Sequence, residues 1–271
     1  KTPSFHVRDQ LGRFKCFGCG AAGDIIEFVM RLRGLQFNEA LLELSEAAGI
    51  ETKNSLPLPK KAQDVLKAQA VAQEYFVKQL KENPAALKYL NDRGLNAQMI
   101  TQAALGFGGN KESFIPYLIK RGIGEQTAIK AGLLKPGRVL QFGGRITFPI
   151  RNFSGQIIAF GGRVMPDAEG AKYVNTHNYE HYEKRKNFYG LFEAKAAILK
   201  GQTPILVEGY FDAMAFWNIG VPALALCGTA LSAEHIAIIK RLSSRLALCF
   251  DQDKAGVLAL RNSLMELYQK D

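Results

Sequence analysis

The 271-residue sequence is 47% hydrophobic and 22% charged, a composition that excludes an intrinsically disordered chain and is ordinary for a globular protein of about two or three domains. It contains no apolar run long enough to cross a membrane and no signal peptide, so we expect a cytoplasmic protein with no membrane partner. Lys and Arg total 35 against 25 acidic residues, and the net charge of +10 favours a polyanionic partner such as nucleic acid.

The first predicted domain, residues 1–50, combines short strands with two helices. The pattern at 9–12 predicts a turn between strands, and Asp24 is placed to cap a helix that ends at Gly34. Apolar residues at helical spacing beyond Gly34 predict the second helix. The polar, proline-bearing residues 51–61 then predict a linker.

The four cysteines fall into two kinds. Cys16 and Cys19 have the spacing of a zinc knuckle in a glycine-flanked loop. A closed structural zinc site needs four ligands, and His6 is a candidate third, although its strand-like context favours a surface position. Cys227 and Cys249 lie inside apolar runs, so we predict that both are small buried residues and not partners in a disulfide.

Residues 62–202 predict a mixed α+β subdomain. Its first half, 62–133, has helical periodicity with breaks at Pro84, Gly94, Gly122 and Gly132. Its second half contains two predicted strands in 145–164, joined by a turn at Ser154 and Gly155. The helical and strand-forming parts are therefore separated along the chain.

Residues 203–271 have a different pattern, in which three apolar runs alternate with helical segments. Such alternation is typical of an α/β unit with a parallel sheet. The predicted fold class is therefore multidomain, with α+β and α/β parts.

Acidic residues follow two of the predicted parallel strands. Glu208 comes directly after the first and Asp212 lies four residues later, whereas Asp251 and Asp253 follow the third. Because parallel strands present their carboxyl ends at one edge, we expect these side chains to meet there. Two like charges about 4 Å apart repel by about 4 kcal/mol at an effective dielectric of about 20, and Mg²⁺ or Mn²⁺ would remove this penalty. The alternative is that these acids only cap helices.

The two acidic segments, VEGYFD and FDQDKAG, resemble motifs of the Toprim domain, which bacterial primases, topoisomerases and some nucleases share. The resemblance implies that Glu208 is a general acid or base. It also implies that Asp251 and Asp253 hold a divalent metal ion, with Asp212 as a supporting acid.

Further segments resemble bacterial DnaG-type DNA primases, in the family's order and over nearly the whole chain. They are RITFPIRNFSGQIIAFGGRV at 145–164, KYVN at 172–175, FYGL at 188–191 and LCGTALSAEH at 226–235. The resemblance implies template-directed synthesis of short RNA primers on single-stranded DNA, from ribonucleoside triphosphates, by metal-dependent nucleotidyl transfer. The alternatives are a Toprim topoisomerase or nuclease and a non-catalytic module that binds single-stranded DNA.

Basic residues lie in or beside the primase-like segments. The candidates for binding nucleic-acid or nucleotide phosphates are Arg145, Arg163, Lys172 and Lys184. The alternative is a solvated basic face. The family usually has an arginine where Gly143 stands here, which implies a divergent member.

The resemblance also predicts how the chain is divided. In the family, a Cys and a His precede the Lys-Thr-Pro-Ser-Phe segment that begins this sequence, and the Toprim domain continues beyond the second acidic motif. We therefore expect a partial zinc ribbon (1–50), a linker (51–61), the N-terminal subdomain of the primase core (62–202) and an incomplete Toprim domain (203–271). An incomplete ribbon would bind structural Zn²⁺ weakly, and such a piece would be inactive alone. The family's C-terminal domain, which contacts the replicative helicase, would be absent.

Overall fold

The computed structural model describes residues 3–33, 37–49, 60–166, 168–179 and 182–268. The predictions made for Gly34 and for linker residues 51–59 lie outside these ranges. No helix within the described ranges is both long enough and apolar enough to cross a membrane.

A three-stranded antiparallel sheet and two helices form the first unit. Its elements are β1 (Phe5–Arg8), β2 (Arg13–Cys16), β3 (Ala22–Asp24), α1 (Ile25–Arg33) and α2 (Phe37–Ala47). Gly12 ends the predicted turn between β1 and β2 with a left-handed φ of 57°. The Asp24 carboxylate accepts a hydrogen bond from the Glu27 N–H at 2.9 Å, so the predicted cap of α1 is confirmed.

The middle of the chain combines helices with a four-stranded antiparallel sheet. Its first elements are α3 (Lys60–Lys81), α4 (Pro84–Asp92), α5 (Ala97–Gln102), β4 (Gly106–Phe107), α6 (Lys111–Lys120), α7 (Glu125–Lys130), β5 (Leu134–Lys135) and β6 (Val139–Leu140). They are followed by β7 (Arg145–Arg151), β8 (Ile157–Val164) and β9 (Tyr173–Asn175). The sheet order is β4-β7-β8-β9. Gly155, with a φ of 87°, lies in the turn of the β7–β8 hairpin, as predicted.

The long helix α3 packs on this sheet through its apolar face. It begins at Lys60, so the last two residues of the predicted linker are helical. Tyr75 and Phe76 are buried, and their rings contact Phe114 and Phe160 at centroid distances of 4.8 and 5.1 Å respectively. The helix is therefore stabilised mainly by aromatic packing against elements distant in sequence.

The last part of the chain is an α/β unit. Its elements are β10 (Phe188–Tyr189), α8 (Leu191–Leu199), β11 (Ile205–Val207), α9 (Tyr210–Asn218), β12 (Ala223–Leu226), α10 (Ala233–Leu242), β13 (Ala247–Cys249) and α11 (Lys254–Tyr268). The strand order is β10-β12-β11-β13. β11 is parallel to β12 and to β13, as predicted, but β10 pairs antiparallel with β12, so the sheet is mixed. Because β10 belongs to the FYGL segment, this sheet reaches across the boundary predicted before residue 203.

The prediction that two cysteines are buried is confirmed for Cys227 and wrong for Cys249. Cys227 directly follows β12, which has a neighbouring strand on each side. Cys249 ends β13, which is the edge strand of the sheet in the described part of the chain, and its side chain is exposed. An apolar run therefore did not guarantee burial at the sheet edge.

Contacts between side chains and backbone join the three parts of the chain. The ring of Tyr210, at the start of α9, lies against the backbone of Gly161 in β8, where a Cβ would come within 2.2 Å of the ring. Ile26 and Val29 of α1 pack against an apolar cluster that includes Ile236 of α10. The Toprim-like unit thus contacts both the primase-like sheet and the helices of the first unit.

Candidate active site

The acidic residues lie at the edge of the sheet where β11 and β13 end. The two strands pair in parallel with Val207 opposite Cys249, so Glu208 and Asp251 follow neighbouring strand tips. The Asp251 N–H donates to Oε1 of Glu208 at 3.3 Å. A Cβ built on the buried Gly256 would lie 2.8 Å from the same oxygen, so a glycine in this part of α11 leaves room for the Glu208 side chain.

The surroundings of Glu208 raise the pKa of its carboxyl. The main cause is desolvation by partial burial, and the negative charges of Asp251, Asp253 and Asp212 add to it. The hydrogen bond from the Asp251 N–H opposes these effects. The fold therefore brings the other three predicted acids within electrostatic reach of Glu208.

Asp212 and Asp253 also have structural roles at helix N-termini. The Gly209 N–H donates to the Asp212 carboxylate at 3.1 Å, and the Gly256 N–H donates to the Asp253 carboxylate at 2.8 Å. These bonds match the alternative of helix capping at α9 and α11. Within the described ranges, no three His, Cys, Asp or Glu side chains are grouped closely enough to hold a metal ion.

Arg163, near the end of β8, is held by aromatic residues from three elements. Its Nε donates to the Tyr89 hydroxyl at 2.5 Å, and its Nη1 donates to the Tyr173 hydroxyl at 2.8 Å. The guanidinium lies 5.0 Å from the Tyr173 ring centroid and 5.5 Å from that of Phe211. Burial is the main cause of a raised pKa at Tyr173, and the charge of Asp212 contributes. Arg163 thus lies close to the acidic edge.

Arg93 was not predicted as a site residue, yet it lies against the same aromatic rings. Its guanidinium carbon is 5.5 Å from the Tyr89 ring centroid and 5.3 Å from that of Phe211. The only sequence signal is the spacing, because residues four apart on a helix share one face and Arg93 follows Tyr89 by four. Arg93 and Arg163 therefore form one cationic cluster with Tyr89 and Phe211.

Two more predicted cations flank the loop between β8 and β9. Arg145 Nη1 donates to the Ala171 carbonyl at 2.8 Å, and burial lowers the pKa of this guanidinium. Lys172 is exposed, and its carbonyl accepts a hydrogen bond from the Val164 N–H at 3.1 Å. Both residues thus lie at the same end of the sheet as Arg163.

Asn175, in the KYVN segment, links the primase-like sheet to the α/β unit. Its Nδ2 donates to the Cys227 carbonyl at 3.0 Å, and its Oδ1 accepts from the Tyr210 hydroxyl at 2.5 Å. A Cβ built on Gly228 would lie 2.6 Å from Nδ2, so glycine permits this close approach. The sequence motif contained this residue, but nothing local predicted its partners.

Three family models match consecutive parts of the chain. The CHC2 zinc finger model matches residues 1–58, and the model of the DNA primase catalytic core, N-terminal domain, matches residues 75–195. A Toprim-like model matches residues 205–271. The order of these matches is the order predicted from the motifs.

A crystal structure of Aquifex aeolicus primase, comprising zinc-binding and RNA polymerase domains, resembles this chain with a TM-score of 0.72 and 30% identity. The similarity covers 98% of this chain and 67% of that one. The chain belongs to the DnaG-type DNA primase family. Because the catalytic-core match lies outside the Toprim part, a topoisomerase or nuclease is not favoured.

Two further primases are similar to this chain over part of their own length. The DNA primase of Listeria monocytogenes is 37% identical over 278 residues, which cover 96% of this chain but 44% of that primase. A structure of the DnaG primase catalytic domain bound to single-stranded DNA has a TM-score of 0.67 and 30% identity, covering 76% of this chain and 67% of that one.

The loop that follows β2 contains Cys19, which acts on the thiol of Cys16 at the end of that strand. The pKa of Cys16 is lowered to about 7, first by the backbone N–H of Cys19, then by the Cys19 side chain and the Gly18 N–H. His6 pairs with Lys15 across the sheet and its ring meets Phe17, whereas Cys16 pairs with Phe5. Because side chains alternate between faces along a strand, His6 is on the opposite face from Cys16.

His235 closes the primase-like GTALSAEH segment and is fully buried at the start of α10. Its Nδ1 accepts a hydrogen bond from the Ser232 N–H at 3.2 Å, so Nε2 carries the proton. Nε2 donates to the carbonyls of Lys184 and Asn187, at 3.0 and 3.1 Å. Burial lowers the pKa of His235, although these carbonyls oppose the shift.

We expect the free energy of unfolding to fall as the pH drops below about 6.5, because the unfolded chain binds a proton at His235 before the folded chain does. Above that pH both states are neutral and the contribution of His235 is complete. Glu234 and Arg185, the charged groups beside the ring, act in opposite directions. Urea denaturation measures the free energy of unfolding at about pH 7.5 and about pH 5.5. Between these two pH values, it should fall less for His235→Gln than for the unmodified chain. Equal losses in the two proteins would contradict the prediction.

Proposed function

We propose that this chain carries the catalytic part of a DNA primase, which synthesises short RNA primers on single-stranded DNA. The 3′-hydroxyl of the primer attacks the α-phosphorus of a ribonucleoside triphosphate, and pyrophosphate leaves. The observation that carries the proposal is the parallel pairing of β11 with β13. This pairing brings Glu208 and Asp251 together, and Arg93 and Arg163 lie nearby around Phe211.

The acidic residues have separate proposed roles. Glu208 is the general acid or base, and its raised pKa suits proton transfer closer to neutral pH. Asp251 and Asp253 hold Mg²⁺ or Mn²⁺, and Asp212 supports them. When bound, such an ion offsets the negative charge that develops on the phosphate oxygens.

The donor atoms at this edge are of the type that suits a divalent cation. They are all carboxylate oxygens, which Mg²⁺ and Mn²⁺ prefer. The raised pKa of Glu208 reflects burial and also the charges of its three acidic neighbours, and a cation would offset that repulsion. Asp212 and Asp253 also anchor the first turns of α9 and α11, so the backbone around the site is held by the same side chains.

The cations near this edge are the proposed phosphate contacts. They comprise the four predicted residues and the one found in the structure: Arg145, Arg163, Lys172, Lys184 and Arg93. The related catalytic domain bound to single-stranded DNA supports such DNA as the template. Ribonucleoside triphosphates and the replicative helicase are further proposed partners, by family membership.

The predicted domain limits of 1–50, 51–61, 62–202 and 203–271 are likewise proposals. We propose that Cys16 and Cys19 are ligands of a structural Zn²⁺. The exposed knuckle and the lowered pKa of Cys16 fit two thiolate ligands of such an ion. The described residues provide no third ligand grouped with them.

Replacing Lys172 by Ala should weaken binding of single-stranded DNA and flatten its salt dependence. Removal of one phosphate contact should reduce the slope of log K against log salt by about 0.7. Fluorescence anisotropy of a labelled oligonucleotide at several salt concentrations measures this slope. Lys120→Ala, an exposed change on α6, is the matched control. An unchanged slope for Lys172→Ala would assign Lys172 to a solvated basic face.

Primer synthesis tests the proposed function directly. With ribonucleoside triphosphates, a single-stranded template and Mg²⁺ or Mn²⁺, the full-length primase of which this chain is proposed to be a part should produce short RNA, and chelation of the metal should stop it. Manganese binding, measured in parallel by electron paramagnetic resonance, tests the acidic edge independently of activity. RNA synthesis that continues without template or without divalent metal would contradict the proposal.

A further inference from the structure

The segment that carries Lys184 is bonded to the first turn of α10 through its backbone. The carbonyls of Lys184 and Asn187 accept hydrogen bonds from His235 Nε2, at 3.0 and 3.1 Å. The Ser232 hydroxyl donates to the intervening Arg185 carbonyl at 2.7 Å. The ring of His235 also contacts that of Phe188, at a centroid distance of 4.5 Å. The buried side chain of His235 therefore helps to fix this turn on α10, together with Ser232.

Lys184 differs from the other cations of the turn. Arg185 pairs with Glu234 at 2.9 Å, and Lys186 pairs with Glu183 at 2.7 Å. Among the residues that the structure describes, no carboxylate forms an ion pair with Lys184, which is half-buried. The paired cations have part of their charge satisfied within the protein, whereas Lys184 is available to an external anion.

The position of Lys184 is next to the loop that follows β12. Phe188, four residues after Lys184, pairs antiparallel with Leu226 at the end of β12, so the turn lies beside that loop. The Cys227 carbonyl accepts a hydrogen bond from Asn175, which also contacts Tyr210. Lys184 is therefore connected, through these residues, to the interface that lies behind the acidic edge.

We propose that His235 is a positioning residue that holds the backbone of Lys184, so that the lysine ammonium meets a phosphate group of the template or of the nucleotide. The inference rests on the proposed function, which makes Lys184 a phosphate contact. Lysine loses much side-chain freedom when it binds an anion, and a fixed backbone limits the further freedom that must be lost. Without the Nε2–H donor, the carbonyls of Lys184 and Asn187 lose their side-chain partner. The turn then keeps the bonds of Arg185 to Ser232 and Glu234 but loses the one at Lys184 itself.

Two substitutions at His235 distinguish the role of its Nε2–H donor from the role of its side-chain volume. The side-chain amide of His235→Gln reaches the position of Nε2 and can donate to the same carbonyls. The shorter side chain of His235→Asn reaches only the position of Nδ1 and cannot. Binding is measured by anisotropy with a fluorescein-labelled single-stranded oligonucleotide, and separately with a fluorescent ATP analogue and Mg²⁺. The probe whose binding is weakened shows whether the phosphate belongs to the template or to the nucleotide.

We expect Lys184→Ala to weaken the binding of one of the two probes by about tenfold, which is the effect of removing one charge-assisted hydrogen bond. His235→Asn should lower the affinity for the same probe by most of that factor. His235→Gln should have an affinity within about twofold of that of the unmodified chain. The double variant of Lys184→Ala and His235→Asn should bind no worse than Lys184→Ala alone. Asn110→Ala, which removes the N-cap of α6, controls for a general loss of stability.

The outcomes distinguish the inference from the proposed function. If Lys184→Ala weakens binding but a folded His235→Asn does not, the positioning role is wrong and the role of Lys184 stands. If Lys184→Ala leaves both probes unaffected, the phosphate contact and the positioning role both fail. If His235→Asn does not fold, His235→Gln decides. Retained binding then supports the donor role, and binding as weak as that of Lys184→Ala overturns it.

Discussion

Replacing Glu208 by Gln should reduce primer synthesis by about 10²- to 10⁴-fold, the usual contribution of a general acid or base. Glutamine has nearly the same shape and can still accept the Asp251 N–H bond that Glu208 accepts at 3.3 Å. It has neither the charge nor the titratable proton. The fold should therefore be retained while proton transfer is lost and cation binding at the acidic edge is weakened.

Two further measurements make this prediction specific. Glu208→Gln should bind Mn²⁺ more weakly but bind single-stranded DNA as well as the unmodified chain, because Glu208 contributes no positive charge to a phosphate. Glu112→Gln, an exposed change on α6, is the matched control and should alter none of these properties. Full primer synthesis by Glu208→Gln would refute the catalytic assignment, whereas lost synthesis with intact DNA binding would exclude a non-catalytic DNA-binding module.

Gly161→Ala should destabilise the protein by about 1–3 kcal/mol, the typical cost of overpacking a core. The new methyl group would lie 2.2 Å from the Tyr210 ring, a distance that carbon atoms do not tolerate. The ring cannot move freely, because Tyr210 is buried and its hydroxyl donates to Asn175. The substitution therefore separates β8 from α9, and with them the primase-like sheet from the acidic edge.

Urea denaturation measures this effect as a lower transition midpoint. Gly124→Ala is the matched control, because a Cβ at Gly124 meets no atom within 4 Å and its φ of −72° suits any residue. That control should stay within about 0.5 kcal/mol of the unmodified chain. A Gly161→Ala variant as stable as Gly124→Ala would show that the contact between Gly161 and Tyr210 does not join the two units.

Local patterns in the sequence predicted most individual elements, because each depends on neighbouring residues. Helical spacing of apolar residues predicted α3, and the predicted turn at Gly155 lies in the β7–β8 hairpin. The N-cap at Asp24 was likewise visible from the order of residues. These features involve contacts within a few positions, where propensity and periodicity are informative.

Features that depend on sheet position were harder to predict. The run that contains Cys249 is apolar, yet β13 is an edge strand and leaves this side chain exposed. The two-residue strand β10 gave no periodic signal, and its antiparallel pairing with Leu226 and Ala225 depends on the path of the chain before it. Strand order is set by long-range packing, so neither result follows from local sequence.

The environments of the basic residues also depended on distant parts of the chain. The sequence alone selected Arg163 as a cation, but its partner Tyr89 is 74 positions away. Arg93 was missed because its contact with the ring of Phe211 joins residues that are far apart in the chain. The sequence likewise left open whether Asp212 and Asp253 meet a cation or cap helices, and the structure shows the capping bonds.

By itself, the sequence determined the family, the order of the three parts, and the two strands that end in acids, because motifs and periodicity are properties of adjacent residues. Only the tertiary structure decided which of these groups meet. The parallel register of β11 and β13 brings Glu208 to Asp251, and the contact of Tyr210 with Gly161 joins their sheet to the one that carries Arg163. Such contacts form between residues far apart in the chain, and their geometry is determined by how whole layers pack together.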